Sequence, residues 1–127
     1  MRFSIALDYT LPEGGMAPYF DALRAGVALA SRCKGCGRIS FPPRLVCAEC
    51  GAEAHDWARL SGRARVVLRT DALAAAFALA RFEGADGATT VALGNPEARG
   101  ETGQLMAPNG PRPGLWLRLN ERETDHA

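Results

Sequence analysis

The sequence predicts a mostly β protein with a short N-terminal helix, a cysteine-rich metal-binding ribbon and a C-terminal β-domain. All four cysteines of the 127-residue chain lie in two Cys-x-x-Cys pairs. A short segment with helical periodicity precedes them. After residue 57, short apolar runs are punctuated by Gly, Asn and Pro, which is typical of strands joined by turns. We therefore predict an arm and helix at 1–26, the ribbon at 27–56 and the β-domain at 57–127.

The two cysteine pairs predict one metal site. Cys33 and Cys36 form the first pair, Cys47 and Cys50 form the second, and a Gly follows each pair. The Cys-x-x-Cys spacing lets two thiolates chelate one ion from a single tight turn, and Gly adopts the left-handed conformation of such a turn at little cost. Two facing turns supply the four sulfurs of a closed, tetrahedral structural zinc site.

Other uses of the four cysteines are less consistent with the sequence. A redox Cys-x-x-Cys motif normally occurs once, beside a βαβ pattern. Disulfides require an oxidising compartment, whereas the N-terminus has no signal-peptide pattern and no apolar run is long enough to span a membrane. These observations predict a cytoplasmic protein. Iron remains an alternative to zinc, because four thiolates accept either metal.

Basic residues concentrate in the middle of the chain. The net charge is +1, but between Arg24 and Arg81 there are ten basic residues and four acidic ones, so this part carries +6 and the two ends together −5. A basic region built almost wholly from Arg suits phosphate recognition, because guanidinium pairs bidentately with phosphate oxygens. A solvated Arg-rich surface explains the charge equally well.

Secondary structure follows from periodicity and punctuation. Residues 1–16 are predicted as an extended arm or loop. A helix follows, with Pro18 in its first turn, Phe20 and Leu23 on one face and Gly26 at its end. This helix face and the ribbon edge at residues 41–43 are expected to leave apolar surface for a partner.

Five strands are predicted in the β-domain. On the first, three arginines share one face: Arg63, Arg65 and Arg69. The second, at 73–82, is ambiguous, because its Ala content favours a helix while its strict alternation favours a strand; we predict a strand. The five predicted strands occupy 62–70, 73–82, 89–93, 102–106 and 115–119. A turn cluster at 108–113 and a frayed tail from residue 121 flank the last strand.

The order of these motifs resembles a two-domain family in which a rubredoxin-like zinc ribbon is joined to an OB-fold barrel. Members of this family accompany thiolase-like enzymes in acyl-CoA metabolism, including sterol side-chain degradation and acylphloroglucinol synthesis. Residues 94–113 depart from the family pattern. The resemblance is carried by the helix at 19–26, the two Cys-x-x-Cys-Gly turns, Phe41-Pro42-Pro43-Arg44, Trp57 and Ser61-Gly62-Arg63-Ala64.

The resemblance implies a zinc-containing accessory subunit that binds acyl-CoA and supports a thiolase-like acyltransferase or lyase. In this family the groove between ribbon and barrel is the proposed site of the CoA ester. Phe41 has two interpretations, a lid over the metal site or a stacking surface for a ligand ring. The candidate CoA-binding residues are Arg38, Phe41, Arg44, Arg63 and Arg65.

The residues argue against independent catalysis. Four thiolates leave neither a free cysteine nucleophile nor an open metal position, and His55 and His126 each stand alone without an acid–base partner in the sequence.

Two other classes of function stay open. A single-stranded nucleic-acid-binding module interleaves aromatic and basic residues, whereas aromatics make up only 7% of this chain. A rubredoxin-like electron carrier contains iron and is red.

Overall fold

A short helix precedes the first cysteine pair, as predicted. The computed structural model describes residues 14–108 and 114–121. Helix α1 spans Ala17–Arg24, and Gly26 ends it with a φ of 75°. Of the predicted arm, Gly14–Met16 form a 3-10 turn, and residues 1–13 lie outside the described residues. Within the described ranges, the helical segments fall short of the length and hydrophobicity that a membrane span requires.

Three short antiparallel strands make the ribbon sheet. The central strand, β1 (Leu29–Cys33), lies between β2 (Ile39–Ser40) and β3 (His55–Arg59). Trp57 of β3 pairs with Ser31 of β1. The ribbon sheet therefore runs to the end of β3, and the predicted boundary between residues 56 and 57 falls inside this strand.

Five strands close into a barrel. Their bounds are Arg63–Asp71 (β4), Ala76–Phe82 (β5), Thr89–Leu93 (β6), Thr102–Met106 (β7) and Trp116–Leu119 (β8). The neighbour order is β4-β5-β6-β8-β7, and β7 pairs back onto β4. Strands β6 and β8 are parallel, and the other neighbours are antiparallel. A five-stranded Greek-key barrel of this kind is an OB-fold, so the predicted fold class is confirmed.

The barrel closes even where the sequence departs from the family pattern. Strand β7 lies within residues 94–113 and pairs with both β4 and β8. The predicted strands at 89–93 and 102–106 coincide with β6 and β7. Residues 109–113, which belong to the predicted turn cluster, and residues 122–127 of the predicted tail lie outside the described residues.

A β-bulge at Val67 reverses the two faces of β4. Val66 pairs with Ala80, but Leu68 pairs with Leu79, so Val67 is an extra residue in the ladder. Beyond it Leu68 faces outward, with 64% of its surface exposed. Arg69 turns to the opposite face, and its side chain is only 16% exposed. The predicted face shared by three arginines is therefore wrong for Arg69.

The side chain of Arg69 holds the end of the barrel together. Its guanidinium pairs with Asp71, with Nη2 3.0 Å from Oδ1. It also donates to the carbonyl oxygen of Ala98 at 2.8 Å and to the carbonyl oxygen of Pro96. One largely buried cation thus ties β4 to the loop that follows β6, and its charge is matched by these acceptors.

We expect Arg69→Met to destabilise the barrel. The substitution keeps the apolar stem but leaves two carbonyl oxygens and Asp71 without this donor. The free energy of unfolding should fall by about 1–3 kcal/mol, the scale of hydrogen bonds to charged groups. Urea unfolding at constant zinc concentration measures the change. Arg59→Met on the exposed edge of β3 is the control, and equal stabilities of the two variants would contradict the assigned role.

The alanines of β5 point into the barrel, and the larger side chains that alternate with them point outward. Phe77 points outward and is 41% exposed. The segment is a strand, as predicted, but it starts three residues late, because residues 72–75 form a turn and leave Leu73 fully exposed. Small side chains let the walls of a narrow barrel approach each other. The buried residues of β5 are Ala76, Ala78, Ala80 and Phe82.

One continuous core joins helix, ribbon and barrel. The ring of Phe41, in the ribbon, lies 4.8 Å from that of Phe82 in β5 and 6.2 Å from that of Tyr19 in α1. Two hydrogen bonds reinforce the junction: Asp86 N–H donates to Ile39 O at 2.8 Å, and Ile39 N–H donates to Asp86 Oδ2 at 2.9 Å. The metal-binding turns are thereby attached to the barrel by packing as well as by the chain.

Candidate metal centre and basic surface

The two cysteine turns have the same backbone geometry. In the first, Gly37 N–H donates to Cys33 O at 2.9 Å, and in the second Gly51 N–H donates to Cys47 O at 2.9 Å. The two glycines have φ values of 80° and 76°, which L side chains rarely adopt. The left-handed glycines that the sequence predicts after each cysteine pair are therefore present.

The four thiols converge on one point. Their sulfur atoms all lie within 4.8 Å of one another. Sγ of Cys33 is 3.5 Å from Sγ of Cys50, and Sγ of Cys36 is 3.6 Å from Sγ of Cys47. These separations exceed the S–S bond of about 2.05 Å, and all four cysteines are free. Each close pair joins the two turns, as a shared ion requires.

Backbone amides stabilise the thiolate form of one cysteine in each turn. The N–H groups of Cys36 and Gly35 lower the pKa of the Cys33 thiol to about 6, against an opposing effect of burial. The N–H groups of Cys50 and Glu49 likewise lower the pKa of the Cys47 thiol. The Gly35 and Glu49 nitrogens are 3.3 Å and 3.4 Å from the sulfurs. Thiolate, not thiol, is the metal ligand.

The donor set fits a single Zn²⁺ ion. Zn–S bonds of about 2.3 Å in a tetrahedron hold the sulfurs about 3.8 Å apart, close to the observed spacings. Such a centre carries a net charge of about −2. Two basic residues, Lys34 and Arg38, lie in or next to the first turn, and each also forms an ion pair. Lys34 Nζ is 3.5 Å from Asp56 Oδ1, and Arg38 Nη1 is 3.6 Å from Glu49 Oε1. Four sulfur ligands would complete the tetrahedral coordination of this ion and leave no open position for a reactive water.

Arg38 and Arg44 lie beside the metal centre. Together with His55 they line a concavity of about 10 Å³, which has room for about one water molecule. Arg44 N–H donates to Ser31 Oγ at 2.9 Å. This concavity is too small for the phosphates of a CoA ester, although Arg44 is exposed and the side chain of Arg38 is partly exposed.

Arg63 and Arg65 line a larger groove on the outer face of the barrel. The groove has a volume of about 460 Å³, which is within the usual range for ligand sites. Its other polar lining residues are Arg81, Glu83, Thr102 and Asn120. The structure thus places the two predicted arginine pairs in separate concavities.

The sequence analysis missed two arginines of this surface. Arg81 pairs with Arg65 across β4 and β5, and Arg118 pairs with Gln104 across β8 and β7. Gln104 in turn pairs with Arg63. No local motif marks Arg81 or Arg118, because their proximity to Arg63 and Arg65 depends on strand register. The sequence signal that could have identified Arg81 and Arg118 is that each falls at an outward-facing position of its strand.

The structure differs from two expectations about apolar residues: that the helix face and the ribbon edge leave apolar surface for a partner, and that Phe41 contacts a ligand. Phe41 is 6% exposed and Leu23 is 1% exposed, so the helix face and the ribbon edge are mostly buried in the core. The ring of Phe41 packs between two other rings and has little surface for a ligand. The exposed large apolar side chains of the barrel are instead Val67, Leu68, Leu73 and Phe77.

These features define the class of the protein: a rubredoxin-like ribbon with four convergent thiols, built onto an OB barrel. The family model described as "ChsH2, rubredoxin-like zinc ribbon domain" matches residues 20–56. This match covers the end of α1, both cysteine turns and the start of β3. No curated protein sequence matches the chain significantly.

Two solved structures share this fold over most of the chain. A DUF35-family protein of unknown function from Sulfolobus solfataricus aligns with a TM-score of 0.63 and 22% identity, covering 84% of this chain and 87% of that one. A structure titled "Ltp2-ChsH2(DUF35) aldolase" aligns with a TM-score of 0.65 and 17% identity, covering 87% and 98%. At these identities the likeness establishes the fold, and the predicted ribbon-plus-OB resemblance is confirmed.

Proposed function

We propose that this protein is a non-catalytic accessory subunit that binds one structural Zn²⁺ ion and an acyl-CoA ester and supports a thiolase-like acyltransferase or lyase. The observation that carries the proposal is the pairing of a closed four-thiol ribbon with an OB barrel. One of the two solved structures that share the fold, the Ltp2-ChsH2(DUF35) aldolase, is named as an enzyme. The acyl-CoA ligand and the thiolase-like partner in this proposal are what the family resemblance of the sequence implies.

The cysteine chemistry supports an accessory role. Cys33, Cys36, Cys47 and Cys50 all serve as zinc ligands in this proposal, which leaves no thiol nucleophile. His55, the histidine among the described residues, packs edge-on against Trp57, with ring centroids 5.1 Å apart. A partner enzyme therefore supplies the nucleophile. Reduced thiols are stable in a reducing compartment, so we place the complex in the cytoplasm.

The exposed apolar residues of the β4–β5 hairpin are the surface that we assign to the partner. Val67, Leu68 and Phe77 project from the outer faces of the two strands, and Leu73 projects from the turn between them. An apolar patch on a small protein commonly marks a protein interface. This assignment replaces the one based on the helix and residues 41–43, which lie largely in the core.

Co-expression with a thiolase-like enzyme from the same genome tests the proposal. The two proteins should co-purify, and Leu73→Asp should weaken the complex because it places a charge in the apolar contact. Leu45→Asp, on the ribbon, is the matched control and should leave the complex intact. The wild-type protein should also bind acyl-CoA in calorimetry. A monomer that binds neither acyl-CoA nor any such enzyme would refute the proposal.

The same calorimetry includes a single-stranded oligonucleotide in identical buffer. Acyl-CoA is expected to bind more tightly. Tighter binding of the oligonucleotide would replace the accessory-subunit proposal by the nucleic-acid-binding alternative, since OB-folds also bind single strands.

A further inference from the structure

We infer that the outer face of the barrel, and not the groove between ribbon and barrel, binds the phosphates of the acyl-CoA ester. The site is the basic surface formed by Arg63, Arg65, Arg81 and Arg118. This inference rests on the proposed function for the identity of the ligand. The location rests on strand register, charge and the shape of the barrel surface.

Strand pairing gathers the four arginines on one face. Arg65 lies directly opposite Arg81, and Cβ atoms of such cross-strand neighbours are about 5 Å apart. Arg63 lies two residues before Arg65 on the same face of β4, about 7 Å away. Arg118 lies on the far side of Gln104 from Arg63, at about two strand spacings, or about 10 Å. Several phosphate groups can therefore meet a guanidinium at once.

The free protein compensates little of this positive charge. Like charges directly opposite each other destabilise a sheet, so the pair Arg65–Arg81 has an energetic cost until an anion binds between the two side chains. In the described part of the chain, none of the four arginines forms an ion pair, in contrast to Arg38 and Arg69. Glu83 is the acidic residue that lines the groove beside them.

The groove also provides neutral hydrogen-bonding groups. Thr102 pairs with Arg65 across β7 and β4, and its hydroxyl accepts a hydrogen bond from Asn120 Nδ2 at 2.9 Å. The Thr102 hydroxyl hydrogen remains available to a phosphate oxygen. The 460 Å³ groove thus combines three guanidinium groups with a hydroxyl donor, which is the composition expected for a diphosphate and a separate phosphate monoester.

The surroundings favour a CoA ester over a single-stranded nucleic acid. Single-strand sites stack successive bases on aromatic rings, whereas the described residues that line this groove include no aromatic side chain. Beyond Arg81 the outer face of β5 becomes apolar, with Leu79 and then Phe77. The groove therefore leads toward the apolar hairpin that we assign to the partner, so a CoA ester held by its phosphates would extend its less polar arm toward the partner enzyme.

Calorimetry with CoA, 3′-dephospho-CoA and pantetheine tests the site. In the double variant Arg65→Ala/Arg81→Ala we expect CoA to bind at least about tenfold more weakly, because each arginine contributes a charged hydrogen bond. Removal of the 3′-phosphate should weaken binding to the wild-type protein more than binding to the variant. Pantetheine, which has no phosphate, should bind both proteins equally.

Two further variants separate charge from geometry. Arg32→Ala/Arg59→Ala removes the same charge from exposed ribbon positions and should change the Kd for CoA by less than about twofold. Arg65→Lys/Arg81→Lys keeps the charge but not the planar fork, and its affinity should lie between those of the wild type and the alanine variant.

The outcomes distinguish this inference from the proposed function. If CoA binds the wild type and the Arg65→Ala/Arg81→Ala variant equally well, the inferred site is wrong and the accessory role stands. If the wild type binds no CoA or acyl-CoA, both are wrong. If an oligonucleotide binds and loses affinity in the variant while CoA does not bind, the surface recognises nucleic acid instead.

Discussion

Replacing Cys33 by serine is expected to abolish metal binding and to unfold the ribbon. The substitution removes one of the four sulfurs and the thiolate that its backbone amides stabilise. The ribbon has only three short strands, too small a structure to be held by its own apolar core. In zinc-finger peptides metal binding contributes about 10–16 kcal/mol of apparent free energy, most of which is folding free energy. The ribbon should depend on zinc in the same way.

Elemental analysis and hydrogen exchange measure this result. The wild-type protein should contain one equivalent of zinc and be colourless. Cys33→Ser should contain little, and its β1–β3 amides should lose protection before those of the barrel. His55→Ala is the matched control, because it changes a potential ligand near the centre that we exclude from the donor set. Disulfides without metal, a red iron-containing protein, or zinc loss in His55→Ala would each contradict the four-thiolate zinc centre.

Truncating Phe41 to alanine is expected to lower the free energy of unfolding by about 3–5 kcal/mol, the usual cost of removing a buried aromatic side chain. The side chain is 6% exposed and bridges Tyr19 and Phe82. Its loss leaves a cavity where helix, ribbon and barrel meet. We therefore expect the ribbon and barrel to unfold less cooperatively than in the wild type.

Phe77→Ala is the matched control for this prediction. Phe77 has the same side chain but is 41% exposed on the outside of β5, and its truncation should cost less than about 1.5 kcal/mol. Urea unfolding of zinc-loaded protein provides the comparison. A small effect of Phe41→Ala on stability together with a large loss of acyl-CoA affinity would contradict the core role and favour the stacking role instead.

The metal centre is the part of this protein that sequence reasoning predicts best. The spacing of Cys33 and Cys36, and of Cys47 and Cys50, determines two tight turns whose geometry is local. The glycine after each pair permits the left-handed backbone that both turns adopt. The two cysteine pairs lie fourteen positions apart and must still meet in the fold, but a single ion with four sulfur ligands permits few other arrangements of them. Strands β6 and β7 are predicted equally well, because Gly, Asn and Pro mark their ends.

The basic surface was predicted only in part, because its composition depends on strand pairing. Arg63 and Arg65 are visible as alternate residues of one strand, but Arg81 and Arg118 join them through register across β5, β7 and β8. The bulge at Val67 then removes Arg69 from the same face. A single extra residue reverses the alternation that follows it, and no Gly or Pro in the sequence marks the bulge at Val67.

By itself, the sequence determined the chemistry of the centre and the order of helix, ribbon and barrel, since both follow from residue type and short-range spacing. The tertiary structure alone decided which side chains share a surface and which share the core. Phe41 became a junction residue because the barrel presents Phe82 to it, and the alanines of β5 turned inward because a closed barrel has little interior space. Those outcomes depend on contacts between residues distant in sequence, whose geometry is set only when all five strands close.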